Sequence, residues 1–278
     1  MKRRISIHGG HSRDFCSHAR DPLEDIIQTY LKRGFSEVGI VEHMPPSDDR
    51  YLYPEEKEAG LTAARMEVRF ARFVEDVASL REKYRSRIRI HFGFETEAYP
   101  GALEYARELR EKYRPDYIVG SVHHVGETPI DYDRKQYLRA EKESGGRDNL
   151  YQRYFQRQYE LLNELRPEVV GHFDLIRKYD SDYSRRLRHP PIRELVERNL
   201  ELIGKLDLIM ELNLRSWFRG GEEPYPTRSI LVQARRLGIT VIPADDSHEA
   251  ESAGRDVERG IELLDEIGFR PPRSRLLK

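Results

Sequence analysis

The stretch EVGIVEH, residues 37–43, decides the fold: it has a body of Val and Ile, a charged entry and a terminal histidine. Such a body suits a strand buried on both faces, as in a parallel sheet. Working outward, RISIH (4–8), RIRIHFGFE (87–95), DYIVGSVHH (116–124), EVVGHFD (168–174), LIMELN (208–213) and TVIPADDSH (240–248) repeat the design. Amphipathic helical patterns fill the intervals. Leu23, Ile26, Ile27, Tyr30 and Leu31 recur at helical spacing before Gly34, a suitable C-terminal stop. Tyr151, Tyr154, Phe155, Tyr159 and Leu162 form a second stripe, and Val257, Ile261 and Leu264 a third. Seven strand–helix alternations predict an α/β chain, a single domain over residues 1–278 closed into a distorted (β/α)7 TIM-like barrel. An open doubly wound sheet is the alternative.

The polar residues fall where function needs them. The strand bodies end in His8, His43, Glu95, His123, His172, Asn213 and Asp246. In a parallel barrel these C-terminal ends converge on one face, where active sites are built. His11, His18, His124 and His248 stand next to the set, and Asp174 and Asp245 add carboxylates. Imidazoles mixed with carboxylates form a ligand set for Zn²⁺, Mn²⁺ or Fe²⁺, whereas calcium sites are almost wholly oxygen. The set exceeds the four ligands of one tetrahedral ion, so two or three divalent transition metals are expected. Neighbouring divalent ions acidify a shared water and clamp attacking and leaving oxygens, which points to hydrolysis of a phosphate ester. Plain structural roles compete at single positions. His91 lies inside a strand and suits packing, and His189 falls in a loop. If His123 faces the site, strand alternation turns His124 away. Cys16 suits packing better than soft ligation.

Composition removes other classes. Charged residues make up 35% of the chain and hydrophobic ones 38%, and no apolar run approaches a membrane span. The opening MKRRISIHGG lacks the apolar stretch of a secretory signal. One cysteine excludes an internal disulfide and suits a cytoplasmic setting. A net charge of −1 offers no global field for membrane surfaces or long nucleic acid. A small phosphorylated substrate is the expected partner.

In order along nearly the whole chain, HGGHSRDFCSHA, VEHMPP, GFETE, GSVHHV, GHFDLIRKY, ELNLRSW, EPYP and ADDSHEAESAG resemble the PHP (polymerase and histidinol phosphatase) family, in particular its histidinol-phosphate phosphatases. The resemblance implies a distorted (β/α)7 barrel, a trinuclear metal centre and phosphomonoester hydrolysis, here of L-histidinol phosphate in histidine biosynthesis. Carried over by motif, the metal ligands are His8, His11, His18, His43, Glu95, His123, His172, Asp246 and His248, with Asp246, His248 and Glu95 serving catalysis. The family usually opens H-x-H, which puts two imidazoles on one face of a strand. Here the spacing is HGGH, and a regular strand would turn the two apart. A bulge or early turn at Gly9 and Gly10 could bring both inward. The alternative puts Gly9 at the first ligand position, with one metal lost or held differently.

Phosphate oxygens match planar guanidinium donors. Arg177 and Arg215 lie just beyond the fifth and sixth strands, in motifs whose basic residues bind phosphate in the resembling enzymes; Lys178 is a further candidate. Trp217 and Phe218 suit an apolar wall or barrel packing. The connections 126–147 and 175–191 are long enough to act as lids or substrate loops.

Overall fold

The computed structural model describes residues 4–270. Seven parallel strands lie in the order β1 (Ile5–Gly9), β2 (Glu37–His43), β3 (Arg89–Glu95), β4 (Tyr117–Gly120), β7 (Val169–Val170), β8 (Ile209–Asn213) and β9 (Thr240–Ala244). The remaining strands, β5 (His124–Val125) and β6 (Thr128–Pro129), form a separate antiparallel hairpin. Each barrel strand neighbours the next in sequence. There is thus no reversal of strand order, which a doubly wound sheet requires. The two edges meet at their C-terminal ends: Asp246 N donates to His8 O at 2.8 Å and His11 N to Ser247 O at 3.0 Å. The sheet is a nearly closed barrel, and the open-sheet alternative falls.

Three expected strands are shorter than their apolar patterns. The ladder stops at Gly120, Val170 and Ala244, so His123, His172 and Asp246 stand on the segments that follow. The expected helices are present as Leu23–Lys32, Arg147–Leu165 and Val257–Ile267. Gly34 follows the first at φ +75, a left-handed conformation that costs glycine little. The two long connections carry structure of their own. Residues 126–147 hold β6 and the helix Arg134–Glu143, and residues 175–191 hold the turns Leu175–Tyr179 and Tyr183–Arg186.

Alternation along the strands divides the core in two. Ile5, Ile7, Val41, Val119, Val169, Ile209, Ile242 and Ala244 fill the barrel around Tyr117. The Tyr117 hydroxyl donates to Ile7 O at 2.5 Å. A Cβ at Gly39 would stand 1.8 Å from that hydroxyl, and one at Gly93 would crowd the ring at 3.2 Å. The bare backbone at Gly39 therefore makes room for the tyrosine. Outside the strands, helix faces bury residues such as Ile26, Tyr30, Phe70, Phe73, Tyr154 and Phe155. Each large apolar side chain so buried contributes about 1.5–3 kcal/mol against the entropy of ordering the chain. At the N-terminal end of the barrel, His91 Nε2 lies 2.7 Å from Glu37 Oε1. This is the packing role expected of His91. Among the described residues, no helix is long and apolar enough to cross a membrane.

Candidate metal centre

The HGGH departure is resolved at the end of β1. Ser6 pairs with Val38 and Gly9 with Ile40, so three steps on β1 oppose two on β2. That extra residue is a β-bulge, which lets Ile7 line the barrel while His8 also turns inward. Gly9 then packs outward. A Cβ there would stand 2.3 Å from both Asp245 Oδ1 and the Tyr30 hydroxyl. Gly9 is therefore a close-packing position and takes no ligand role. Gly10, at φ +84, turns the chain so that His11 follows His8 inward.

The two imidazoles meet. His8 Nδ1 lies 2.8 Å from Glu211 Oε2 and His11 Nδ1 lies 3.0 Å from Glu42 Oε1. Their Nε2 atoms face each other at 3.2 Å. A carboxylate on the far nitrogen fixes ring orientation and makes the near nitrogen a better electron-pair donor, as around metal-bound histidines. Glu211 is itself held by His172 N at 2.7 Å and Asn213 Nδ2 at 2.8 Å.

Glu95, at the end of β3, is the hub. Its Oε1 lies 2.8 Å from His172 Nε2 and 3.1 Å from His123 Nε2; its Oε2 lies 3.5 Å from both His8 Nε2 and His43 Nδ1. Asp246 approaches from β9, with Oδ1 3.5 Å from His11 Nε2. His248 stacks on His11 at 4.3 Å and lies 4.9 Å from His18, ring centre to ring centre. His18 is more exposed than the rest and Glu95 is buried.

The donor chemistry fits divalent cations. Within 4.8 Å spans lie His8, His11 and Asp246; His43, Glu95 and His123; His11, His43 and His248; and Cys16, His18 and His248. Ligands about 2.0–2.2 Å from a tetrahedral ion lie roughly 3.3 Å apart, near the separations around Glu95. His43 Nδ1 is 2.7 Å from Glu97 Oε1, yet both atoms are buried with no hydrogen bond; His123 Nε2 is buried and unbonded too. Buried polar atoms that close without hydrogen-bond alignment are what an ion between or beside them would satisfy.

Burial opposes charge throughout, and neighbours decide the outcome. Glu211, Glu95 and Asp246 outweigh burial at His8 and hold its pKa well above the ordinary imidazole value. At His43, Glu95 and Glu97 overcome burial and raise it to about 9. His11 and His248 go the other way: burial dominates at His11, and at His248 burial is reinforced by His11 and His18. The nearby imidazoles hold Glu95 well below the usual carboxylate range despite its burial. Protons and divalent cations are alternative counter-charges for these carboxylates.

The cluster floors an open cavity of about 380 Å³. Lys178, Arg215 and Arg219 bring cations to its lining. Arg215 reaches Glu249 at 3.2 Å, and its buried Nε has no partner. Lys178 Nζ donates to Asp131 O at 2.5 Å. Arg177, expected at the phosphate, lies outside the cavity lining. Its guanidinium donates to Glu223 O at 2.9 Å and Pro224 O at 2.6 Å, and lies 4.2 Å over the Tyr225 ring, away from the cavity lining. In the turn Leu175–Tyr179, neighbouring side chains diverge, and it is Lys178 that faces the cavity. Asp174 likewise serves structure, 3.3 Å from Arg177 and accepting from Thr227 N at 3.1 Å.

Asp245 accepts from Tyr30 at 2.8 Å and Ser6 at 3.1 Å outside the cavity lining, and burial raises its pKa to about 6. His124 turns from the cluster, with Nδ1 3.1 Å from Glu97 O. His189 stands just before the helix Pro190–Lys205, and its side chain makes no capping hydrogen bond. Trp217 stacks on Arg259 at 3.8 Å and does not line the cavity. Glu42, Glu211 and Asp131, which lies 3.2 Å from His123 Nδ1, escaped the sequence reading. For Glu42 and Glu211 a signal existed: each is an acid directly after apolar residues near the C-terminal end of a strand.

Comparison with known proteins agrees with this geometry. Residues 9–215 match the PHP domain family model. A Schizosaccharomyces pombe protein named "Probable histidinol-phosphatase" is 33% identical, over 95% of this chain and 87% of its own length. The fold matches that of a Listeria monocytogenes protein solved as a candidate histidinol phosphatase: TM-score 0.80, 23% identity, 92% of this chain and 99% of that one. It also matches Lactococcus lactis histidinol phosphate phosphatase, solved with zinc, L-histidinol and phosphate: TM-score 0.73, 15% identity, 96% of this chain and 95% of that one.

Proposed function

The chain belongs to the PHP domain family, and from that membership we propose that it hydrolyses L-histidinol phosphate to L-histidinol and phosphate, a step of histidine biosynthesis. The observation that carries the reading is Glu95, whose two oxygens reach four imidazoles beneath a cavity lined with cations. Residues 1–278 act as one catalytic domain, in a cytoplasmic setting. His8, His11, His18, His43, Glu95, His123, His172, Asp246 and His248 hold two or three ions of zinc, manganese or iron. When bound, such ions lower the pKa of water toward neutrality and neutralise charge building on phosphoryl oxygens.

The chain's own residues supply the rest. Glu211 and Glu42 fix the His8 and His11 rings with their free nitrogens inward, so donors are oriented before substrate arrives. Arg215 and Lys178 hold the phosphate oxygens not engaged by the centre, and Arg219 adds a cation at the exposed rim. Arg177 braces the wall by gripping the Glu223 and Pro224 carbonyls. The 131–132 segment, with Asp131 and Tyr132 in the lining, covers one side of the substrate.

Phosphate release from a panel of monoesters, with each metal supplied in turn, tests the reading. Turnover of histidinol phosphate well above that of nucleotides and sugar phosphates is expected. Equal or greater turnover of a nucleotide would replace histidinol phosphate as substrate.

A further inference from the structure

The cavity lining includes a carboxylate that the donor cluster does not use. Glu55 lies on the short helix Pro54–Glu58, with its side chain 28% exposed. Its Oε1 is 3.7 Å from His18 Nδ1, beyond hydrogen-bond length, and its Oε2 is buried with no hydrogen bond. The other carboxylates in the lining are committed. Glu95 serves the imidazoles, Asp246 accepts from Asn213 Nδ2 at 3.1 Å, and Asp131 lies 3.2 Å from His123 Nδ1. Oε2 is thus a buried acceptor in the cavity lining that a donor brought by the substrate would complete. Two aromatic rings stand close by: Tyr53 and Tyr132 lie 5.8 Å apart at 27°, and the Tyr132 hydroxyl, hydrogen-bonded to Glu55 and close to its charge, is raised to about 12. Aromatic faces beside a carboxylate favour a cation. Lys178, Arg215 and Arg219 meanwhile line the same cavity with the opposite sign. A cavity carrying both signs fits a substrate carrying both, a phosphate ester with an ammonium group.

We propose that Glu55 is a specificity residue that accepts the substrate's ammonium, making the enzyme select amino-alcohol phosphates over neutral ones. This rests on the phosphatase reading above and deepens it. The rival role for Glu55 is to hold His18 for metal binding.

The test compares kcat/KM for histidinol phosphate with that for imidazolylpropanol phosphate, which lacks the amine, in wild type and Glu55→Gln. The selectivity ratio should fall about 10- to 100-fold in the variant, the factor of one charge-assisted hydrogen bond. Calorimetry should show L-histidinol binding weakened by a similar factor, while elemental analysis shows wild-type metal content. An unchanged ratio overturns the proposal. So does a variant that loses metal and slows on both esters alike, since Glu55 would then act through His18. If wild type hydrolyses phosphate esters but neither of this pair, the substrate reading fails. The same ratio on phosphoethanolamine against ethyl phosphate then decides the role of Glu55: a 10- to 100-fold fall upholds it and no change overturns it.

Discussion

His91 and His11 each lie about 3 Å from a glutamate of β2, at opposite ends of the barrel, and only one belongs to a site. At the N-terminal end, His91 spends Nε2 on Glu37 at 2.7 Å and turns Nδ1 toward Asp116 at 4.0 Å. At the C-terminal end, His11 spends Nδ1 on Glu42 at 3.0 Å and aims Nε2 at His8 Nε2 and Asp246. A histidine–glutamate pair is thus no mark of function by itself. What differs is the company of the second nitrogen: one distant acid at 4.0 Å below, and above an imidazole at 3.2 Å and a carboxylate at 3.5 Å, close enough together to share an ion.

The contrast can be broken by substitution, starting with the hub. Glu95→Ala should lower kcat about a thousandfold, the upper range for one electrostatic group, and reduce metal per chain by elemental analysis. Retained metal and turnover would dissolve the distinction between the two ends. Arg215→Ala should cost about 100-fold in kcat/KM for phosphate esters with metal content unchanged, whereas Arg177→Ala should lower the melting temperature more than the rate. Glu42→Gln and Glu211→Gln should weaken metal affinity about 10- to 100-fold, measured by competition with a chelating dye, while the fold persists by circular dichroism. Restoring zinc to chelated protein should raise the unfolding free energy by about 2.7 kcal/mol when free metal stands 100-fold above its dissociation constant, read as a rise in melting temperature. Least of all, Glu37→Gln should leave metal affinity alone and cost about 1–3 kcal/mol in denaturant unfolding. A metal defect there would mean that the lower pair is coupled to the site after all.

The same two ends explain what could be read from the chain. Val38, Ile40 and Val41 announce a strand, and a terminal His43 or Glu95 is legible because polarity there breaks an apolar run. The apolar patterns at 116–124, 168–174 and 240–248 run past the strands they contain, because the ladder ends before the chain reaches the site. Polarity cannot report whether a neighbouring backbone is there to pair with. Arg177 and Lys178 show another limit. Both are basic and adjacent, and only the phase of a short turn, set by contacts 46 and 47 residues away, decides which meets the cavity. Glu55 sits on a helix outside the strand framework, so no periodicity connects it with the cluster.

The kink between Ser6 and Gly9 has a practical consequence for recognising kin of this chain. An insertion inside the most diagnostic pair of histidines is absorbed locally, because outward crowding at Gly9 and a reversed turn at Gly10 bring the second ring back to its partner. A search that demands fixed spacing between those letters would discard such a chain while its donors remain face to face. Distances between nitrogens, rather than intervals in the text, are the property to compare.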